Sequence, residues 1–307
     1  MRWKRGSRLK LVSEDEAPRR VREIFDEVRQ TLGLPVVPAL YRAYAAFPQF
    51  LEVHWQSFHP ILRSRQFFML GARLAAESYT RGHNYFGIPS LTTYGTPAMG
   101  TTLQIPQVLD YYQYADPLLL LITAGQMQAF EGPVGNPCTP EPVNHPTFQV
   151  APCLLSDLDA RQDVQSIWDE RRRILELAFT SDEHRALACW PDFYRQYWNA
   201  LKDLLQSPLY ADCQYRIGES AWTMVRELPG TTETGISQLI DAGLESEEIS
   251  SVARINEAFM QAMTGLVLDI TFARIACDGG TTGHTPLQNE ATVTAKKKRA
   301  GSPTRAA

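Results

Sequence analysis

Cysteine is scarce in this 307-residue chain, and the few cysteines do not pair by spacing. Cys138, Cys153, Cys189, Cys213 and Cys277 make an odd number, with no two placed as Cys-x-x-Cys. This excludes a vicinal redox pair and a cysteine-rich zinc site and argues against a disulfide framework, so most are read as buried or inert thiols. Excess positive charge is missing as well. Thirty Lys and Arg stand against 34 Asp and Glu, a net charge of −4, leaving no bulk basic field for nucleic acid or an anionic membrane. The longest apolar runs, such as Pro117 to Ala124, fall well short of the roughly 20 residues that span a bilayer. Met1 to Val12 is basic but has no apolar run of the secretory kind. The expectation is a cytoplasmic protein with neither a nucleic-acid nor a membrane partner. The six histidines show no His-Glu-x-x-His or other paired ligand spacing. A glycine-rich dinucleotide turn, a P-loop and a Gly-x-Ser-x-Gly elbow are also absent, so no metal and no cofactor is expected.

What the chain does have is helical periodicity. Hydrophobic residues make up 44% and charged residues 21%, a balance that supports a substantial buried core. Val21, Ile24, Phe25, Val28 and Leu32 recur at steps of three and four, as do Phe50, Leu51, His54, Trp55, Phe58, Ile61 and Leu62. A third stripe runs through Val164, Ile167, Trp168, Ile174, Leu175 and Ala178. The one tempting strand is Phe148 to Leu155. The predicted class is all-α.

Proline and glycine cluster between Pro89 and Gly100 and again between Gly132 and Pro152, where proline removes backbone donors and helix cannot continue. The second cluster divides the chain. We expect a first helical repeat over 1–135, a Pro-rich linker over 136–155, a second helical repeat over 156–278, and a disordered, solvated tail over 279–307 that carries Lys296, Lys297, Lys298 and Arg299. The two halves align at an offset of 143 residues. Residues 38–64 lie on 181–207 with eight of 27 positions identical, among them Arg42/Arg185, Pro48/Pro191, Trp55/Trp198 and Ser64/Ser207. A unit of this length is too long for a solenoid repeat. It suggests a duplicated helical domain with pseudo-symmetric halves and an active-site pocket between them. The shared residues read as structural, with each proline starting a helix and the aromatics facing its core.

Function is sought where the copies differ. Pro38-Ala39-Leu40-Tyr41 in the first copy faces Ser181-Asp182-Glu183-His184 in the second, an apolar stretch against a charged one. Thr180 and Glu183 are spaced like a capping box around Asp182. A carboxylate at a helix start is stabilised as an anion, and it becomes a useful base only when it is also desolvated. His184, two residues on, could orient an anion or simply sit on a helix face.

The segment Ser-Asp-x-x-Arg-Ala-Leu-Ala-x-Trp-Pro from Ser181 resembles the second-half signature of the group I 2-haloacid dehalogenases, an all-helical family acting on both D and L substrates. Val-Pro-x-x-Tyr-Arg-x-x-Ala-x-x-Pro, Val37 to Pro48, is similar to the first-half signature, and so is Tyr114-Ala115-Asp116-Pro117 followed by leucines. The likeness extends over most of residues 20–277. It implies a cofactor-independent hydrolase acting on a carbon–halide bond of a small 2-halocarboxylic acid, and a homodimer. In that family an aspartate following a serine activates water for direct attack on the halogen-bearing carbon, giving a 2-hydroxy acid with inversion. Asp182 matches that aspartate and Ser181 its neighbour. Leu119 follows the first-half motif, and Phe272 and Ile275 resemble pocket-lining residues of the family. Val36 and Ala39 stand where aromatic pocket residues are expected, which would leave room for a bulkier substrate. The family asparagine that helps hold the attacking water aligns with Asp116. An anion there would repel both the substrate carboxylate and Asp182 unless one of the pair stays protonated. The other reading of Asp116 is a helix cap ahead of Pro117. The alternatives to a hydrolase are a non-catalytic helical protein binding a small carboxylate or hydrophobic ligand and, more remotely, an enzyme of the carboxymuconolactone decarboxylase type.

Overall fold

The apolar stripe at the start of the chain folds as its spacing predicts. A computed structural model describes residues 9–93, 97 and 101–282. In it α1 (Arg19–Leu32) buries Val21, Ile24, Phe25, Val28 and Leu32. Gly33 ends the helix at φ 67° and returns its N–H to the Arg29 carbonyl. Then come α2 (Ala39–Tyr44), α3 (Pro48–Leu62), α4 (Arg65–Tyr85) and α5 (Ile105–Ala129). After a long irregular segment the order is α6 (Gln162–Ile174), α7 (Asp182–Leu187), α8 (Pro191–Leu205), α9 (Pro208–Met224), a 3₁₀ turn (Val225–Glu227), α10 (Ile236–Asp241) and α11 (Ser246–Cys277). The all-α class holds.

The residues shared between the aligned segments occupy matching places. Helices α2, α3 and α4 start at Ala39, Pro48 and Arg65, and α7, α8 and α9 start 143 residues later at Asp182, Pro191 and Pro208. Pro48 and Pro191 open their helices, where a missing N–H costs nothing. Ser64 and Ser207 cap α4 and α9, their hydroxyls accepting from the backbone N–H of Phe67 (3.2 Å) and Tyr210 (3.1 Å). The Trp55 and Trp198 indoles donate to Glu27 and Glu170.

Two helices are largely buried, α11 keeping an exposed polar face only in its first half, at Glu247, Arg254, Glu257 and Gln261. Most of α5 and most of α11 are buried. They form the most extensive helix pair, flanked by α4 and α9. Since α5 comes from residues 1–135 and α11 from residues 156–278, the core is built jointly by the two expected repeats. α11 is long and apolar enough to cross a membrane, yet 83% of its most apolar window is buried inside the protein.

Three local expectations change. The stripe predicted through Ala178 ends as helix at Ile174, and Glu176 takes a left-handed φ of 53°. The chain there turns inward instead of extending the helix. Phe148 to Leu155 is not a strand, because its backbone bonds go to separate elements. Phe148 N–H donates to the Gly33 carbonyl (2.9 Å) and Leu155 N–H to the Arg185 carbonyl (3.2 Å), so no ladder forms. The strands that do form are short, β1 (Gly87–Ile88) pairing antiparallel with β2 (Thr281–Thr282). The start of the expected tail is thereby tied to the body, while residues 283–307, with Lys296 to Arg299, lie outside the described residues.

A buried ion pair joins α6 to α11. Arg171 and Asp269 are 2% and 0% exposed, and Asp269 also accepts from the Tyr210 hydroxyl at 2.8 Å. Removing one member leaves the other charge buried and uncompensated. Arg171→Met should therefore destabilise the protein by about 3–5 kcal/mol, measured by urea unfolding followed by circular dichroism. A change under about 1 kcal/mol would mean that the pair is solvated.

Candidate active site

Helices α2, α5, α7 and α11 meet around a cavity of about 40 Å³, room for roughly three waters at about 10–15 Å³ each. Val36 and Ala39 line it from the start of α2, Asp116 and Leu119 from α5, and Ser181 and Asp182 from the start of α7. Sequence reasoning named all six. Phe272 and Ile275, also named, are elsewhere. The stretch of α11 that reaches the cavity holds Phe259, Met263 and Leu266, and Phe272 lies about 9 Å further along the axis at 1.5 Å per residue. Phe272 packs against Phe86 with tilted rings (centroids 4.7 Å apart). Ile275 packs where α4 comes close at Gly82, whose added Cβ would lie 2.9 Å from the Ile275 Cδ1.

Asp182 is the first residue of α7, and Ser181 is its N-cap without a side-chain cap bond. The capping box expected from Thr180 and Glu183 does not form. The Thr180 hydroxyl accepts instead from Arg172 (2.8 Å), and Glu183 turns into the cavity wall. Arg42 of α2 donates from Nη2 to both Asp182 oxygens, at 3.0 and 2.9 Å. The Asp182 side chain is 15% exposed. Arg185, the counterpart of Arg42 in the aligned segment, pairs instead with Asp157 (2.8 Å).

Asp116 caps nothing, because α5 continues unbroken through Pro117. Proline inside the helix withdraws one N–H from the ladder, and packing against α11 and α4 holds the helix despite that loss. The Asp116 side chain is buried, and its Oδ2 has no hydrogen-bond partner. Burial, with Glu183, Asp182 and Asp269 nearby, holds its carboxyl well above the usual carboxylate range, and Arg171 only partly opposes this. A protonated carboxyl offers one donor and one acceptor without charge, much as an asparagine amide does. The repulsion expected of an anion at this position is thereby removed.

Glu183 is the site residue that sequence reasoning missed. It is 3% exposed, and burial pushes its carboxyl up to about 8, with Arg171 opposing and Asp182 adding to the rise. The Ser181 hydroxyl beside it lowers it slightly but meets hydrogen-bond geometry with no group. The sequence signal was a glutamate in the first turn of a six-residue helix, which ordinarily faces solvent. Tyr111, Tyr112, Phe179 and Phe259 also went unnamed. They close the space left by Val36 and Ala39, so the cavity is small despite those smaller side chains. His184 is fully buried but does not line the cavity. It faces Tyr194 (Nδ1 to hydroxyl 2.9 Å), and burial together with Arg171 brings it down to about 4.

A family model described as halocarboxylic acid dehydrogenase DehI matches residues 35–184, a span that contains Val36, Asp116, Ser181 and Asp182. The chain is 24% identical over 277 residues to an (R)-2-haloacid dehalogenase of Pseudomonas putida, covering 86% of this chain and 91% of the relative. It is 24% identical over 238 residues to an (R)-2-haloacid dehalogenase of Rhizobium sp. (strain NHG3), covering 72% and 88%. The crystal structure of a D-2-haloacid dehalogenase mutant superposes on 90% of this chain and 98% of its own with a TM-score of 0.81 at 21% identity, a likeness of fold.

The buried carboxyls make stability depend on pH. Between about 4.5 and about 8 the unfolded chain ionises Glu183 while the folded one keeps it protonated, so stability falls as pH rises through that window. Asp116 acts in the same direction. The melting temperature should drop from pH 5 to pH 8, and Glu183→Gln should flatten the drop. Equal slopes for the two proteins in thermal melts would refute the assignment.

Proposed function

The chain belongs to the DehI haloacid dehalogenase family, and from that premise we propose that it is a 2-haloacid dehalogenase in which Asp182 activates water for direct attack. The observation that carries this reading is the convergence of Asp182 and Asp116 on one partly open cavity between α5, α7 and α11. Arg42 orients the Asp182 carboxylate by engaging both of its oxygens. A water in the cavity gives its proton to Asp182 as its oxygen bonds to the α carbon. The carbon–halogen bond breaks on the opposite face, so a 2-hydroxy acid of inverted configuration and a halide ion are released. Apolar walls at Leu119, Phe259 and Met263 limit competing solvation of the reacting groups. The neutral Asp116 carboxyl takes the water-holding place of the family asparagine. The site's size favours short acids, and the relatives' names point to the R enantiomer.

Incubation with D- and L-2-chloropropionate should release halide, and the D substrate should yield L-lactate. Asp182→Asn should abolish turnover with the helical circular dichroism intact, and retained turnover would eliminate Asp182 as the base. Direct attack is tested by one turnover with enzyme in excess in ¹⁸O water. The label should enter the product at once, whereas unlabelled first product would indicate an ester on the protein. Phe259→Ala should raise kcat/KM for 2-bromohexanoate relative to 2-chloropropionate, and an unchanged ratio would place the acyl chain elsewhere.

Asp116 standing in the asparagine position favours a second reading, a non-catalytic binder of small carboxylates. In that case ligand raises the melting temperature and no haloacid yields halide.

A further inference from the structure

Four polar atoms on the cavity-lining residues are buried without a hydrogen-bond partner: Asp116 Oδ2, Ser181 Oγ, Glu183 Oε1 and Tyr112 OH. Buried polar atoms in folded proteins are nearly always paired, so four unpaired ones on residues that line one cavity point to a ligand that completes the set. The ligand's charge follows from the lining. It contains three carboxyls, Asp116, Asp182 and Glu183, and among the described residues no Lys, Arg or His. Arg42 is already engaged by Asp182, and Arg171 by Asp269. Among the described residues the lining itself therefore offers a substrate carboxylate no cation, although Arg42 Nε and Arg171 Nε, outside the lining, have no partner of their own.

We propose that the cavity grips its ligand's carboxylate with neutral acids, the Glu183 and Asp116 carboxyls each keeping a proton and donating it, alongside the Ser181 and Tyr112 hydroxyls. This rests on the dehalogenase reading only for the identity of the acid; the grip itself follows from the unpaired atoms. Four O–H donors match the lone pairs of one carboxylate. An acid–carboxylate hydrogen bond shares a charge and is stronger than a neutral one. Because Asp182 and Arg42 offset each other, as do Asp269 and Arg171, the site accepts one net negative charge while both acids stay protonated.

The grip is lost when Glu183 ionises. The groups facing it and Asp116 are Asp182 and His184 on α7, Arg42 on α2, Tyr111 and Tyr112 on α5, Arg171 on α6, Tyr194 and Tyr197 on α8 and Asp269 on α11. His184 lies near 4 and the tyrosines stay protonated beyond the range of interest, which leaves Glu183, at about 8, and Asp116, which burial also raises, as the acids whose protons the grip depends on.

The test is isothermal titration of the full chain with propionate, which carries the carboxylate but no leaving group, from pH 6 to 9 in two buffers of different ionisation enthalpy. Affinity should be level to about pH 7.5 and fall toward tenfold per pH unit above 8, with close to one proton taken up at pH 9. Glu183→Gln, which keeps a donor, should remove the proton uptake and the alkaline loss while holding neutral-pH affinity within about threefold. Glu183→Ala should lose about tenfold at pH 7, and Asp116→Asn should bind like the parent there. Affinity unchanged from pH 6 to 9, absent proton uptake, no propionate binding, or a Glu183→Gln profile that matches the parent would each overturn the proposal. Halide release separates it from the reading it extends. Proton-coupled propionate binding without halide from any haloacid supports the grip and removes the hydrolase, whereas halide release with a KM flat across the same pH range does the reverse.

Discussion

The site depends on how few charges the protein places around a small void and on how they are offset. Asp182 is held by Arg42 across an ion pair that joins α2 to α7, from opposite halves of the chain. Behind it Arg171 and Asp269 form a second pair with both side chains buried. With each cation committed, the two remaining carboxyls, Asp116 and Glu183, have no counter-ion, and burial keeps them protonated. A carboxylate paired with arginine beside two unpaired, buried carboxyls is the result, produced by environment acting on three similar side chains.

That arrangement requires a scaffold that does not yield. The α5–α11 pair provides this. α5 and the second half of α11 are buried on nearly all sides, and α4 and α9 flank them. Pro117 sits one residue from Asp116 in the middle of α5, where the helix ladder already lacks a donor. The cavity therefore lies beside the point where the α5 ladder lacks a donor.

The matching helix starts of the two aligned segments set off a chemical difference at the cavity. α2 and α7 begin at corresponding positions and both face the cavity, but one brings Ala39 and the other Asp182. Their equivalent arginines also part company. Arg42 reaches across to Asp182, while Arg185 bonds to Asp157 and the Leu155 carbonyl within its own half. The two aligned segments thus present an apolar wall on one side of the void and an acid on the other.

Much of this was legible in the residues themselves. Helical stripes fixed α1 and α3 almost to the residue, since burial of one face at a period of 3.6 leaves a pattern that no other structure shares. Pro48, Pro191, Ser64 and Ser207 marked helix starts through local stereochemistry alone, and six of the cavity residues could be named from motif and position. What the chain could not reveal was set by distant neighbours. Glu183 looks like a first-turn acid facing solvent until α5 and α11 close over it, and Asp116-Pro117 looks like a helix start until packing carries α5 through. Phe272 and Ile275 lie on the right helix at the wrong height, because a periodic pattern fixes a face without fixing a depth. The sequence by itself determined which stretches are helical and which faces turn inward, because those follow from local sterics and spacing. Only the tertiary structure decided which carboxyl is paired and which must keep its proton, because desolvation and Coulomb energy depend on residues that the chain brings together from far apart.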